Sequence, residues 1–204
     1  MISRTLRCLA VFLAMISAAA GWAQVGPPDA LVKRVSTDVL AAVNADPSIQ
    51  AGDVNKIVAL VDVKVLPFLD FERMTATAAG PHWREATPDQ QKALQEEFKT
   101  LLVRVYSGAL AQAKDRTIEL RPMRDAATDP EVVVRTVIRG RGDPVELDFR
   151  LANAGSGWRI YDLNVGGAWL VEIYRGSFAQ AIAAGGVDGL IATLSAKNKA
   201  AARK

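Results

Sequence analysis

Cysteine is almost missing from this 204-residue chain: the single one, Cys8, lies in the apolar opening segment. The rest of the chain therefore has no thiol nucleophile, no disulfide and no thiolate metal site. Histidine is equally scarce, with His82 alone in Gly80-Pro81-His82-Trp83 and no serine or cysteine motif beside it. A general base needs an oriented partner, so His82 reads as a surface or helix-flanking residue. No Walker loop, no GxGxxG after a strand, no HExxH and no DxDxDG loop occurs, which leaves cofactors and metals without a foothold. Catalytic residues and metal ligands are accordingly expected to number none.

Charge of one sign is missing too. The formal net charge is +3, from 25 basic and 22 acidic residues. Arg4 and Arg7 belong to the opening segment, and without them the balance falls to +1. Nucleic-acid binding needs clustered Lys and Arg, so it is not expected. Long hydrophobic runs are absent after the first residues, since no later stretch approaches about 18 uninterrupted apolar positions. The first 23 residues, MISRTLRCLAVFLAMISAAAGWA, combine two arginines, an apolar run of about a dozen residues and small residues at Gly21 and Ala23. They read as a secretory signal peptide, and Cys8 lacks the small residues that a lipoprotein anchor would place before it. Residues 24–204 then form one exported domain, because no repeat, low-complexity tract or long linker divides them.

Half the residues are hydrophobic, and their spacing sorts them into elements. Leu31, Val32, Val35, Val39, Leu40 and Val43 recur at helical intervals after Pro27 and Pro28, and Val54, Ile57, Val58 and Val61 do so after Asp53. Pro67 interrupts that second helix. Asp70 is placed to cap a short helix carrying Phe71 and Met74 and ending at Gly80. Thr87-Pro88-Asp89-Gln90 is a capping box with proline at the first helical position, and it opens a long helix with Leu94, Phe98, Leu101, Leu102, Val105, Tyr106 and Leu110 on one stripe.

Beyond Lys114 the period changes from 3.6 to 2 and β-branched residues take over. Strands are predicted over 117–121, 131–139, 144–152 and 158–165, joined by the glycine-rich turns at 139–143 and 153–157. Strict alternation in the last strand groups Tyr161, Leu163 and Val165 and turns Asp162 to the other face, as an edge or exterior carboxylate beside an arginine. A buried Asp162 with a raised pKa acting as a base is the rival reading. Gly166-Gly167 ends the sheet, a helix carries Trp169, Leu170, Ile173, Tyr174, Phe178 and Ile182, a second break falls at Gly185-Gly186, and the basic tail from about residue 197 is expected to fray. These stripes fit either a filled core or a hollow one.

Several pieces resemble the MlaC family, the periplasmic phospholipid-binding component of the Mla lipid transport system, also called the toluene-tolerance family. They are Leu66-Pro67-Phe68-Leu69-Asp70-Phe71 with Met74, then 80–90 leading into the Phe98 to Tyr106 helix, Trp158-Arg159-Ile160-Tyr161-Asp162-Leu163, Tyr174-Arg175-Gly176-Ser177-Phe178, and Gly186-Val187-Asp188-Gly189-Leu190-Ile191 with Leu194. Their order spans about Leu31 to Asn198. One departure is Val165-Gly166-Gly167-Ala168-Trp169, where the family often has a Val-Glu-Gly-Val-Ser type of turn.

The resemblance implies an α+β fold: a curved antiparallel sheet of four to five strands, wrapped by helices and enclosing an apolar lipid cavity. It implies a monomeric carrier that shuttles phospholipid between an inner-membrane ABC transporter complex, with its lipid-binding ring protein, and an outer-membrane lipoprotein complex. A hopanoid carrier of the same family, an enzyme using Asp162 or Asp70 as base, and a chaperone for apolar peptide are the alternatives. A two-chain lipid has about 30 methylenes worth ~0.8 kcal/mol each, so it cannot cross water unescorted. The implied cavity walls are Phe71, Met74, Phe98, Leu101, Leu102, Val105 and Tyr106 from the helices, and Val137, Leu147, Phe149, Tyr161, Leu163 and Val165 from the strands. Leu170, Ile173 and Tyr174 complete them from the closing helix, with Trp169 at the mouth.

Overall fold

The structure, a computed structural model, describes residues 26–126 and 128–202. The expected signal peptide lies outside them. Helix α1 (Pro28–Ala45) starts on proline and buries Val32, Val35 and Val43, and a short α2 (Pro47–Gln50) follows, capped by Asp46. In α3 (Val54–Lys64) the Asp53 carboxylate accepts from the N–H groups of Asn55 and Lys56 at 2.9 and 3.2 Å. Pro67 sits in a single tight turn, Leu66–Phe68. Asp70 then caps α4 (Phe71–Ala79) through the Arg73 N–H at 3.0 Å, and Gly80 leaves that helix at φ 65°.

Both bonds of the capping box open α5 (Pro88–Ala111). Thr87 N–H donates to Gln90 at 2.9 Å, and Gln90 N–H donates to the Thr87 hydroxyl at 3.2 Å. Thr87→Ala removes the acceptor for an otherwise orphaned donor, so urea unfolding is expected to show a loss of about 1 kcal/mol with an unchanged m-value.

Strands β1 (Thr117–Leu120), β2 (Glu131–Val134), β3 (Thr136–Arg139), β4 (Val145–Asn153), β5 (Trp158–Val165) and β6 (Ala168–Trp169) form one antiparallel sheet. Its order is β1-β3-β4-β5-β6, with β2 also on β4. The single strand predicted over 131–139 is β2 and β3, which keep one register against β4: Val134 lies opposite Phe149 and Val137 opposite Glu146. The ladder breaks at Arg135, where the Thr136 N–H donates to the Asp148 carboxylate and the Thr136 hydroxyl to the Leu147 backbone carbonyl.

Strict alternation in β5 fails at a β-bulge. Leu151 pairs with Ile160 and Arg150 with Asp162, so Tyr161 is an extra residue. The bulge puts Ile160, Leu163 and Val165 on one face with Val132, Val134, Phe149 and Leu151. It sends Tyr161 to the opposite, polar face, where its hydroxyl donates to Glu131 at 2.8 Å and the Arg73 guanidinium lies 3.7 Å from its ring centre.

The closing helix α6 (Leu170–Ala201) has non-helical dihedrals at Gly185 and Gly186, the predicted break. By length and composition α6 could cross a bilayer, but Phe178, Ile182, Leu190 and Leu194 are buried against α4 and α5. The tail expected to fray from about 197 stays helical to Ala201, because Asn198 is buried and donates to the Glu97 carbonyl at 2.9 Å and its carboxylate at 2.6 Å.

Three apolar clusters hold these layers. One joins α4, α5 and α6 through Met74, Leu94, Phe98 and Phe178. A second sets Val32 of α1 on the sheet residues Val134, Phe149, Leu151 and Trp158. The third joins α1, α3 and α5 through Val43, Ile57, Leu60 and Val103.

Candidate functional site

At 100° per residue, Leu94, Phe98, Leu101 and Val105 of α5 lie within about 60° of one another. Their burial nevertheless changes steadily along that line. Leu94 and Phe98 are sealed, Leu101 is half-buried, and Val105 is 55% exposed. The apolar stripe keeps its character after the core has ended.

Strand β4 does the same along one face, from buried Leu151 and Phe149 through half-buried Leu147 to Val145, which is 37% exposed. The two stripes emerge at the same end of the molecule. Helix α5 passes through residues 112–116 into β1, whose Ile118 pairs with Ile138, and Ile138 pairs with Val145. Leu163 packs against both the helical and the sheet cluster. Helix pair and sheet therefore meet along β5, flanked by a wedge of half-buried apolar side chains from both.

The residues expected as cavity walls divide three ways. Phe71, Leu101, Leu102, Tyr106, Leu147, Leu163, Val165 and Tyr174 are half-buried around the wedge, above the sealed Met74, Phe98, Phe149 and Leu170. Val105 and Ile173 are exposed, Ile173 by 48%. Val137, Tyr161 and Trp169 belong to the polar face of the sheet. Val137 shares the side of Glu119 and Glu146 through its register, the bulge turns Tyr161 away, and Trp169 pairs with Asn164 while the Arg150 guanidinium stacks 3.9 Å from its ring centre. Trp169 is thus not at the wedge. Periodicity missed Val103, buried on a second face of α5 against α3, and the signal for it was its offset of about half a turn from Phe98 and Val105.

Asp162 pairs with an arginine as expected, but it is buried, 1% exposed, rather than exterior. One carboxylate oxygen accepts from Leu163 N–H at 2.9 Å and Val171 N–H at 3.2 Å, and the other accepts from Arg150 at 3.0 Å. It caps α6 from a neighbouring strand, where the residue before the helix, Trp169, has no oxygen to offer. Burial pushes its pKa up, against the pull of those N–H groups and of Arg150. Asp70 is likewise occupied as a helix cap, and His82 is half-buried at the surface, 2.9 Å from Glu85. No cluster of metal-ligating side chains occurs among the described residues.

At the wedge, burial raises the pKa of Tyr106 and of Tyr174, and the nearby Tyr106 raises Tyr174 further. On the polar face, hydrogen bonds from Arg73 and then Tyr161 hold Glu131 below the usual carboxylate range. A separate cleft of about 440 Å³ lies between the start of α1, Pro67-Phe68 and the Ser156–Arg159 turn, and it shares none of the expected lining residues.

The sequence profile described as MlaC protein matches residues 33–196, within two residues of each end of the span that carries the motifs. The chain belongs to the MlaC family. The match begins inside α1 and ends inside α6, so it takes in the whole sheet and the long helix. The toluene tolerance protein ttg2D of Pseudomonas putida is 25% identical over 79% of this chain and 75% of its own length. The intermembrane phospholipid transport system binding protein MlaC of Haemophilus influenzae is 21% identical over 80% and 78%. A solved structure of a phospholipid-binding protein from Ralstonia solanacearum, in complex with a phospholipid, superposes with a TM-score of 0.83 at 43% identity, covering 85% of this chain and 98% of that one.

Proposed function

We propose that this MlaC-family chain carries a two-tailed phospholipid, its acyl chains lying in the wedge between the α5–α6 pair and the apolar face of β4 and β5. It works as a periplasmic monomer without catalytic turnover. It exchanges lipid with the ring protein of an inner-membrane ABC transporter complex and with an outer-membrane lipoprotein complex. The observation that carries this reading is the α5 stripe, which stays apolar while passing from 0% exposed at Phe98 to 55% at Val105 beside a sheet face that opens in the same way. Apolar surface left exposed on two neighbouring layers supports a binding site there. The phospholipid-bound relative at 43% identity supports it independently. An enzyme based on Asp162 fits less well, since backbone N–H groups and Arg150 already occupy both of its oxygens.

Organic extraction of the purified protein, read by mass spectrometry, tests the proposal. Phospholipid is expected in near-stoichiometric amount. A polycyclic hopanoid in its place would reassign the cargo. Protein that arrives empty, and takes up no lipid from vesicles, would refute the carrier reading.

A further inference from the structure

Two of the three tyrosines in the chain stand at the wedge, and they differ from the third in one respect. Tyr161 donates its hydroxyl to Glu131. Neither the Tyr106 nor the Tyr174 hydroxyl has a hydrogen-bond partner among the described residues, although both rings are half-buried against the α4–α5–α6 cluster. Tyr174 stands edge-on to Phe98, ring centres 5.1 Å apart, and 5.9 Å from Phe178. Tyr106 follows Phe98 by about two helical turns on α5. Burial and mutual proximity push both phenols toward the neutral, proton-bearing form, the form that donates.

Neither hydroxyl is buried without a partner, so each phenol packs its ring on apolar neighbours and keeps its O–H open to an arriving acceptor. Leu101, Leu102 and Val165, which pack against the same cluster, offer none. The pair also marks a boundary: on one side is the sealed floor of Phe98 and Phe178, and on the other the stripe runs out to exposed Val105 and Ile173. A diacyl lipid changes from hydrocarbon to polar group at one point of its length, and there it carries two ester carbonyls, which accept hydrogen bonds and cannot donate them.

We infer that Tyr106 and Tyr174 are specificity-determining residues that donate their phenolic O–H groups to the ester carbonyls of the bound lipid, selecting ester-linked over ether-linked chains. This rests on the carrier reading and adds to it the linkage chemistry of the cargo. Headgroup identity does not enter, because the ester carbonyls are the same whatever headgroup a diacyl phospholipid carries.

The test offers the delipidated full chain vesicles containing equal amounts of a diester and a diether phospholipid with the same headgroup and chain length. The protein is re-isolated, and the two lipids are counted by mass spectrometry. The wild type is expected to retain the diester form roughly threefold to tenfold over the diether, the ratio that one or two net hydrogen bonds supply. Tyr106→Phe combined with Tyr174→Phe is expected to bring the ratio to about one, chiefly by lowering retention of the diester. A wild-type ratio of one, or a double variant that keeps the wild-type preference, overturns the inference and leaves the carrier reading standing. Uptake of neither lipid by the wild type overturns both. If the double variant loses its helical circular dichroism signal, Tyr106→Phe alone decides, and an unchanged ratio there counts against the pair.

Discussion

Val105→Glu is expected to empty the protein of lipid without unfolding it. Val105 is 55% exposed, so in lipid-free protein a carboxylate there stays hydrated and changes stability by no more than about 0.5 kcal/mol. An acyl chain laid against the α5 stripe would strip that water away. Leaving an unpaired charge in apolar contact costs on the order of 3 kcal/mol, which lowers lipid retention by about a hundredfold. Extraction gives the lipid-to-protein ratio, and a thermal melt of the same sample gives the stability. Val63→Glu supplies the comparison: Val63 is 67% exposed on α3, away from the wedge, and both readouts are expected to stay at wild-type values. If Val105→Glu melts early in proportion to its lipid loss, the stripe is an ordinary flank of the core and the wedge is not where lipid sits.

Helix ends were legible in the sequence because their signals are local. Asp53, Asp70 and Thr87 each cap the helix that follows, and the Thr87–Gln90 box forms both of its bonds. The apolar stripe of α5 was legible for the same reason, but where it leaves the core was not. That depends on how far α6 and the sheet reach, which no window of α5 encodes. Strand positions were legible and the phase of β5 was not. One extra residue at Tyr161 turns every side chain before it to the opposite face relative to those after it, and a bulge needs no glycine or proline to announce itself. Its place after Gly166-Gly167 points Trp169 to the mouth of a cavity. Its register against Asn164 and the guanidinium of Arg150 decide instead that it lies on the polar face. Asn198 sits in a run of lysines and alanines that reads as a solvated tail, and its burial follows from Glu97, about a hundred residues earlier in the chain.

Asp162→Ala is expected to be the most damaging of these polar substitutions, and through stability rather than chemistry. The carboxylate gathers β4, β5 and the start of α6 at one point: Leu163 and Val171 N–H groups on one oxygen, Arg150 of β4 on the other. Alanine takes the acceptor from the Leu163 and Val171 N–H groups at a site 1% exposed and leaves Arg150 only Glu172, and removing a buried charged acceptor costs about 3 kcal/mol. In a domain of this size that lowers Tm by roughly 10 °C. The pH dependence carries its own sign. Burial raises the Asp162 pKa above its ordinary 3.8, so the native chain holds this proton more tightly than the unfolded chain does. The resulting stabilisation is complete below 3.8 and is lost as pH rises through the raised value. Wild type should therefore gain stability over Asp162→Asn as pH is lowered from neutral, with urea midpoints as the measurement. A gap that narrows on acidification would mean that Arg150 and the two N–H groups outweigh desolvation. Below its own Tm, each variant should still carry wild-type amounts of lipid per folded molecule, because Asp162 faces away from the wedge. Lipid lost from folded Asp162→Asn would instead place this carboxylate in the binding machinery.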